Sequence, residues 1–393
     1  MSMSARMYDP AIVPRPASDG QTPRLSILIV GRLKDHKMKA KLLPLLSMPE
    51  VGEVSLVRRT PLPLPGVRSH CPPSWLRNVT AVAELWRLLT VLWICLTRRP
   101  SFVVSFYLLP HALYADAARR LLGVATIPVT ISEEDVKLGV SRRLFTAALR
   151  GARAVGVRGR HSARILEAHG IPAARIFSPP NLYDPADYAP DPGVTKDIDV
   201  LFVGNLVAVK RLDRLLEATA LLLPRRPDLR VSLVGDGILR EELEAAARAL
   251  GVSGRVRFEG ARPFEEVVHW LRRARLMVMT SEMEGLPQAM IEAMSCGVPV
   301  VIAETGDVTT LARHGENAWI VSPPTARAFA EAIDRLLGDP ALHARLVDGC
   351  LAMRERFRRD YGMEAAVAEW RRAFGTGTSG PDEGGGGNLR ARG

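Results

Sequence analysis

Two glutamates and a lysine are the residues in this 393-residue sequence whose types and placement best suit chemistry. Glu284 and Gly285 follow the β-rich run LMVMT (276–280), and Glu292 falls about a turn and a half into the helical run that comes next. Pro287 suits the first position of that helix, where its missing N–H costs nothing. The helix amino end offers free backbone N–H groups and the positive end of a dipole, which together seat a diphosphate, and Gly285 permits close backbone approach. Leu286 and Pro287 complete the loop assigned to that ligand. A carboxylate beside phosphate would repel it, so Glu284 is better used on neutral sugar or ribose hydroxyls, where charge-assisted hydrogen bonds are strong. The competing reading is two solvent-facing charges on an ordinary helix.

Other candidates sit in the turns after neighbouring β-rich runs. Gly204, Asn205 and Lys210 follow VLFVG (200–204). Small residues there let a ligand approach, and Lys210 can meet phosphate as a point charge. Gly235, Asp236 and Gly237 make a tight turn after RVSLVG (230–235), weak evidence alone because such turns commonly just join strand to helix. Arg262, in the turn after VRFEG (256–260), is a candidate for a nucleobase edge, and Thr305-Gly306-Asp307 follows VPVVIA (298–303). In the first half His111 follows FVVSFY (102–107), a position from which it could face a sugar across a cleft, although a buried or capping His is the commoner case.

The elements that must hold these residues alternate. From Asp199 onward short β-rich runs, ending with AWIV (318–321), are separated by helical runs such as RLDRLLEATALLL and LREELEAAARAL, the pattern of a parallel sheet with crossover helices. Ligands of such doubly wound α/β domains bind at the carboxyl ends of the strands. The first half repeats the alternation with LSILIVG (25–31), VSLVRR (54–59), FVVSFY, ATIPVTI (125–131) and AVGVRG (154–159). Two Rossmann-like doubly wound domains facing across a cleft are therefore expected. The first covers 23–180, a Pro-rich linker 181–197, and the second 198–350. A helical segment follows at 351–375, with a disordered lead over 1–22 and a Gly-rich tail over 376–393.

An apolar fraction of 47% against 24% charged residues suits a folded chain of about two domains. The net charge of +11 favours anionic partners. Aromatics are scarce and the arginines are spread over helical runs, so no base-stacking platform is visible and nucleic acid is set aside. Cys71, Cys95, Cys296 and Cys350 show neither paired spacing nor a His cluster, so no disulfide framework or metal site is indicated, and a reducing cytoplasm is the simple expectation. The N-terminal residues lack a signal-peptide core. The stretch 79–96, VTAVAELWRLLTVLWICL, is interrupted by Glu84 and Arg87 and is not expected to span a bilayer. It reads either as a buried helix or, with Trp86, Trp93, Arg98 and Arg99, as a helix on an anionic membrane surface.

The stretches VGNLVAVKRLDRLLEA, LVGDGILREELEAAARALGVSGRVRFEG and MTSEMEGLPQAMIEAMSCGVPVVIAETGDV together resemble the family-four retaining glycosyltransferases of the GT-B fold. ARILEAHGIPAARIFSPPNLYD is similar to the family's approach to its linker, with Asn181 and Asp184 at the turn. Two glutamates with seven residues between them form the family's donor-site signature, and Glu284 and Glu292 match it. The resemblance implies that Glu284 contacts the transferred sugar, Glu292 the ribose, and Lys210 the leaving diphosphate. It implies a UDP- or GDP-sugar donor, a saccharide or lipid-linked acceptor, and no metal or cofactor. The chain departs from the pattern at Asn205, where the family has Arg, and at Asp307, where a Gly-rich run is usual. Those departures keep open a catalytically silent partner subunit. An NAD-type dehydrogenase is disfavoured by the lack of G-x-G-x-x-G after a first strand.

Overall fold

The protein is described from a computed structural model over residues 24–76, 80–130, 136, 143–184 and 186–376. The lead expected over 1–22 and the tail expected over 376–393, apart from Thr376, lie outside the described residues.

In the first half the chain runs β1 (Leu25–Val30), α1 (Asp35–Leu46), β2 (Val51–Val57), β3 (Val67–His70), α2 (Thr80–Arg98), β4 (Phe102–Phe106), α3 (Leu113–Leu122), β5 (Ala125–Val129), α4 (Arg143–Gly151), β6 (Val155–Gly156), α5 (Gly159–Ala168) and β7 (Ile176–Phe177). The strands form one parallel sheet in the order β3-β2-β1-β4-β5-β6-β7. Apolar runs such as ILIV and FVVSF are buried on both faces, as a sheet covered by helices on each side requires. On one face α1 packs Met38, Leu42 and Leu45 onto Ile27, Ile29 and Val104. On the other, α2 and α3 pack Val91, Ile94, Tyr114 and Ala118 onto Leu28, Val30 and Val103.

The second half holds β8 (Ile198–Val203), α6 (Leu212–Leu222), β9 (Val231–Val234), α7 (Arg240–Ala249), β10 (Val256–Gly260), α8 (Phe264–Arg273), β11 (Ala274–Met279), α9 (Gln288–Ser295), β12 (Val300–Ala303), β13 (Ala318–Val321), α10 (Ala326–Gly338), α11 (Pro340–Ala352), α12 (Arg354–Tyr361) and α13 (Met363–Phe374). Its sheet is parallel with the order β10-β9-β8-β11-β12-β13, so strand order reverses between β8 and β11. Loops leaving those two strands flank the crevice where ligands of this architecture bind.

Some elements depart from the sequence reading. AVGVRG contributes only two strand residues, and β3 and β7 are strands that the sequence reading lacks. The helical stretch after the second domain is two helices broken at Gly362, where an added Cβ would stand 2.2 Å from the Arg358 carbonyl oxygen. Beyond the break α13 returns to the first sheet. Trp370 and Phe374 pack among Ile27, Val104 and Phe177, and Arg371 bonds Glu50 at 2.6 Å.

Candidate active site

The loop after β8 ends in a short 3₁₀ turn, Ala208–Lys210, and Arg211 then adopts a left-handed backbone (φ 48°) to start α6. That turn is tied to the loop after β11 at three points. Glu282 N–H donates to the Val209 carbonyl at 2.9 Å, Thr280 Oγ1 donates to the Lys210 carbonyl at 2.9 Å, and Lys210 Nζ meets Glu284 Oε1 at 2.5 Å. Ser281 Oγ donates to the same Glu284 oxygen at 2.6 Å. The Glu284 side chain is 10% exposed and Lys210 21%, so this pair is poorly screened by water. The two glutamates are not solvent-facing charges.

Glu292 is buried in α9, with Tyr188 and Gln288 facing its carboxyl. Burial pushes its pKa up to about 7, against the pull of those two side chains and of Lys37. Pro287 is the N-cap of α9, one residue earlier than the expected first helical position.

Backbone contacts join the neighbouring loops. Gly235 (φ 145°) runs so close to the loop after β8 that an added Cβ would lie 1.8 Å from the Gly204 carbonyl oxygen, and Leu206 N–H donates to the Asp236 carbonyl at 3.0 Å. Gly306 (φ 54°) passes the Glu284 carbonyl in the same way, at 1.6 Å from a built Cβ. These close approaches give the Gly-Asp-Gly and Thr-Gly-Asp turns a structural reason for their glycines. Asn205 and Asp236 are exposed at this edge. Arg262 is also exposed, lying 3.9 Å from Glu259 and against the Trp270 ring, so its guanidinium is already engaged within its own domain.

The first domain contributes cations absent from the sequence reading. Arg158, just past β6, donates to the Leu286 carbonyl at 3.4 Å; burial lowers its pKa, and Glu284 pulls the other way. Lys37 and Lys41 stand one turn apart on α1. Lys41 is 6% exposed and donates to the Pro179 carbonyl at 3.3 Å, and burial takes its ammonium down to about 7. Lys37 is lowered by burial, then by Arg158, Lys34 and Lys210, while Glu292 raises it. Lys37, Lys41, Arg158 and Lys210 thus gather around two carboxylates, leaving an excess of positive charge that an anionic ligand would balance. The i, i+4 lysines in KMKAK were a visible signal; Arg158 had none beyond its place after a strand.

Asp307 turns away from this group. Its Oδ2 accepts from His161 N–H at 3.2 Å in the first turn of α5, where an anion is favoured, and a Cβ on Gly159 would touch it. Asp307→Ala is expected to cost about 1 kcal/mol of stability, read as a lower urea midpoint. An unchanged midpoint would separate Asp307 from the domain contact.

The expectation that His111 faces the cleft needs correction. It is fully buried (0% exposed), Nδ1 lies 2.9 Å from the Phe106 carbonyl oxygen, and the ring packs on Tyr114. Burial lowers its pKa to about 4. Those contacts hold the ring in the interior of its own domain rather than at its surface. Among the described residues no group of three His, Cys, Asp or Glu side chains could hold a metal ion.

Residues 188–349, in the second half of the chain, match the family model "Glycosyl transferases group 1". The D-inositol 3-phosphate glycosyltransferase of Frankia alni is 32% identical over 201 residues, covering 49% of each chain. That of Thermomonospora curvata is 31% identical over 251 residues, covering 60% of this chain and 57% of its own. The chain spans about half the length of the curated relatives it matches. Among solved structures, Anabaena HepE in complex with UDP-glucose superposes with a TM-score of 0.71 at 18% identity, over 89% of this chain and 99% of that one. Sucrose-phosphate synthase from Thermosynechococcus elongatus superposes equally well, at 0.71 and 19% identity, over 90% and 100%. The fold is GT-B, two Rossmann-like α/β domains.

Proposed function

We propose that the protein is a glycosyltransferase that moves a sugar from a UDP- or GDP-linked donor to a saccharide or lipid-linked acceptor, with retained anomeric configuration, in cytoplasmic assembly of a bacterial glycan. One observation carries this reading: Lys210 and Glu284 are paired at the point where strand order reverses, inside a surplus of cations. HepE, whose fold this chain shares, is described in complex with UDP, with UDP and glucose, and with UDP-glucose.

The pair suits a donor because its two charges want different parts of one molecule. A diphosphate competes for the Lys210 ammonium, and Glu284, released from it, accepts from sugar hydroxyls. Glu292, deeper in α9, accepts from the ribose. Gly285, Leu286 and Pro287 bring backbone N–H groups of the α9 amino end to the phosphates. As the bond from the anomeric carbon to the phosphate oxygen breaks, charge grows on the leaving diphosphate, and Lys210 stabilises it there. The acceptor oxygen bonds to that carbon on the same face and its proton passes to the departing phosphate, so no covalent enzyme intermediate is needed. Asn205 offers the phosphates only a neutral hydrogen bond.

Calorimetry against UDP, GDP and NAD tests the reading, followed by hydrolysis of a panel of nucleotide sugars read by mass spectrometry. Binding of a nucleoside diphosphate with turnover of its sugar is expected; binding without turnover makes the chain a silent partner subunit, and NAD binding removes the proposal. Glu292→Ala is expected to weaken UDP or GDP binding about 10- to 100-fold, the worth of charged hydrogen bonds. Equal affinity for variant and wild type would take Glu292 out of the ribose site.

A further inference from the structure

Helix α2 buries only one side. Ala83, Arg87, Val91, Ile94 and Cys95 face the sheet. Every exposed position between 81 and 96 is apolar: Ala81, Val82, Leu85, Leu89, Trp93 and Leu96. Leu85, Leu89, Trp93 and Leu96 are each more than half exposed, at 55, 56, 53 and 64%. At a rise of about 1.5 Å per residue this stripe runs along most of a 19-residue helix. Trp75, 75% exposed, stands on the turn that precedes it. A contiguous apolar surface of this kind marks a contact with something outside the fold.

The charges around the stripe say what that is. Helices α2 and α3 both connect parallel strands and pack on each other, so their carboxyl ends lie at the same edge of the sheet. There Leu96 and the exposed Leu121 and Leu122 stand with Arg98, Arg99, Arg119 and Arg120. The carboxylates of these two helices are taken inward. Glu84 meets Arg87 and accepts from Tyr114 at 2.9 Å, and Asp116, 5% exposed, holds Arg119 and Arg120 at 2.7 and 2.6 Å. Glu53 beside Arg98 is shared with Arg68. A second copy of the chain would therefore bring no spare carboxylate on these helices to the guanidinia. An anionic lipid surface offers both phosphate-level negative charge and an apolar layer beneath it. No helix among the described residues is long and apolar enough to cross a membrane.

We propose that α2 lies flat in the headgroup layer of an anionic bilayer, with Leu85, Leu89, Trp93 and Leu96 in the acyl boundary and the arginines at the α2 and α3 ends on lipid phosphates. The site between the domains plays no part in this. In flotation of the full chain with phosphatidylcholine vesicles, with and without phosphatidylglycerol, the protein is expected to float only with phosphatidylglycerol. The double variants Leu89→Gln/Trp93→Gln and Arg98→Gln/Arg99→Gln are each expected to lower the partition constant about ten- to thirtyfold. The wild-type protein supplies an arm that is independent of how either variant folds: brominated phosphatidylglycerol should quench its tryptophan emission, and brominated phosphatidylcholine alone should not. Failure to float with phosphatidylglycerol, equal flotation with both vesicles, or a dimer that sedimentation shows to be broken by the α2 substitutions and that binds no vesicle would each overturn the proposal.

Discussion

Lys210→Ala is expected to lower sugar transfer about 10²- to 10³-fold, with a smaller loss in affinity for the nucleoside diphosphate. The split follows from where the ammonium sits. It is held by Glu284 at 2.5 Å, on a turn fixed by Thr280 and Glu282, so the protein's own contacts position it. Lys37, Lys41 and Arg158 also attract the ground-state diphosphate, and the loss of one cation among four is diluted in binding. Charge that appears only as the bond to the sugar breaks falls chiefly to the cation nearest the leaving oxygen, and that part shows in kcat. The variant also leaves Glu284 without its counter-ion beside the phosphates. Glu284→Ala alone should lower kcat, and the double variant should lose much less than the product of the two single losses, because the side chains act as a pair. Single-turnover transfer with saturating donor measures this. A fall below about threefold in the Lys210 variant would remove the assigned role.

Legibility in the sequence followed the range of the interactions. The inner strands of the second sheet, β8, β9, β11 and β12, are doubly buried apolar runs, and local periodicity finds them because each strand satisfies its own burial. The loops carrying Lys210 and Glu284 were legible for the same reason, being the turns between such runs. What stayed hidden depends on chain that returns from far away. α13 reads as an ordinary amphipathic helix, and nothing local says that Trp370 and Phe374 close the face of the other sheet. β3 is a short half-buried edge strand, VRSH, without apolar alternation. Asp307 stands in the sequence only as a departure from a Gly-rich run, because its partner, the His161 N–H, lies in the opposite domain. His111 lay at the end of a strand, as expected, but burial rather than strand position decides what a ring can reach.

Lys41→Met is expected to stabilise the protein at pH 6, with the gain shrinking as pH rises toward 10. Burial takes the Lys41 ammonium from 10.5 down to about 7, Arg158 adds repulsion, and the Pro179 carbonyl to which it donates is neutral. Below pH 7 both folded and unfolded chains carry the charge, and the folded state bears the full cost of burying it. Between 7 and 10.5 the unfolded chain binds a proton that the folded chain does not, so stability rises with pH by linkage. Above 10.5 both forms are neutral and the cost is gone. A shift of that size sets a ceiling of about 5 kcal/mol, and loss of the Pro179 contact takes back about 1 kcal/mol. Methionine keeps the stem and removes the charge. Glu292 works with the opposite sign, because its raised pKa makes stability fall as pH climbs from 4.5 to about 7. Near neutral pH the fold therefore carries the cost of a buried cation and a buried carboxylate together, which a ligand with both phosphates and hydroxyls would relieve. Urea midpoints of wild type and Lys41→Met between pH 6 and 10 read the effect; a gain that stays constant across that range would mean that the lysine costs nothing through its charge.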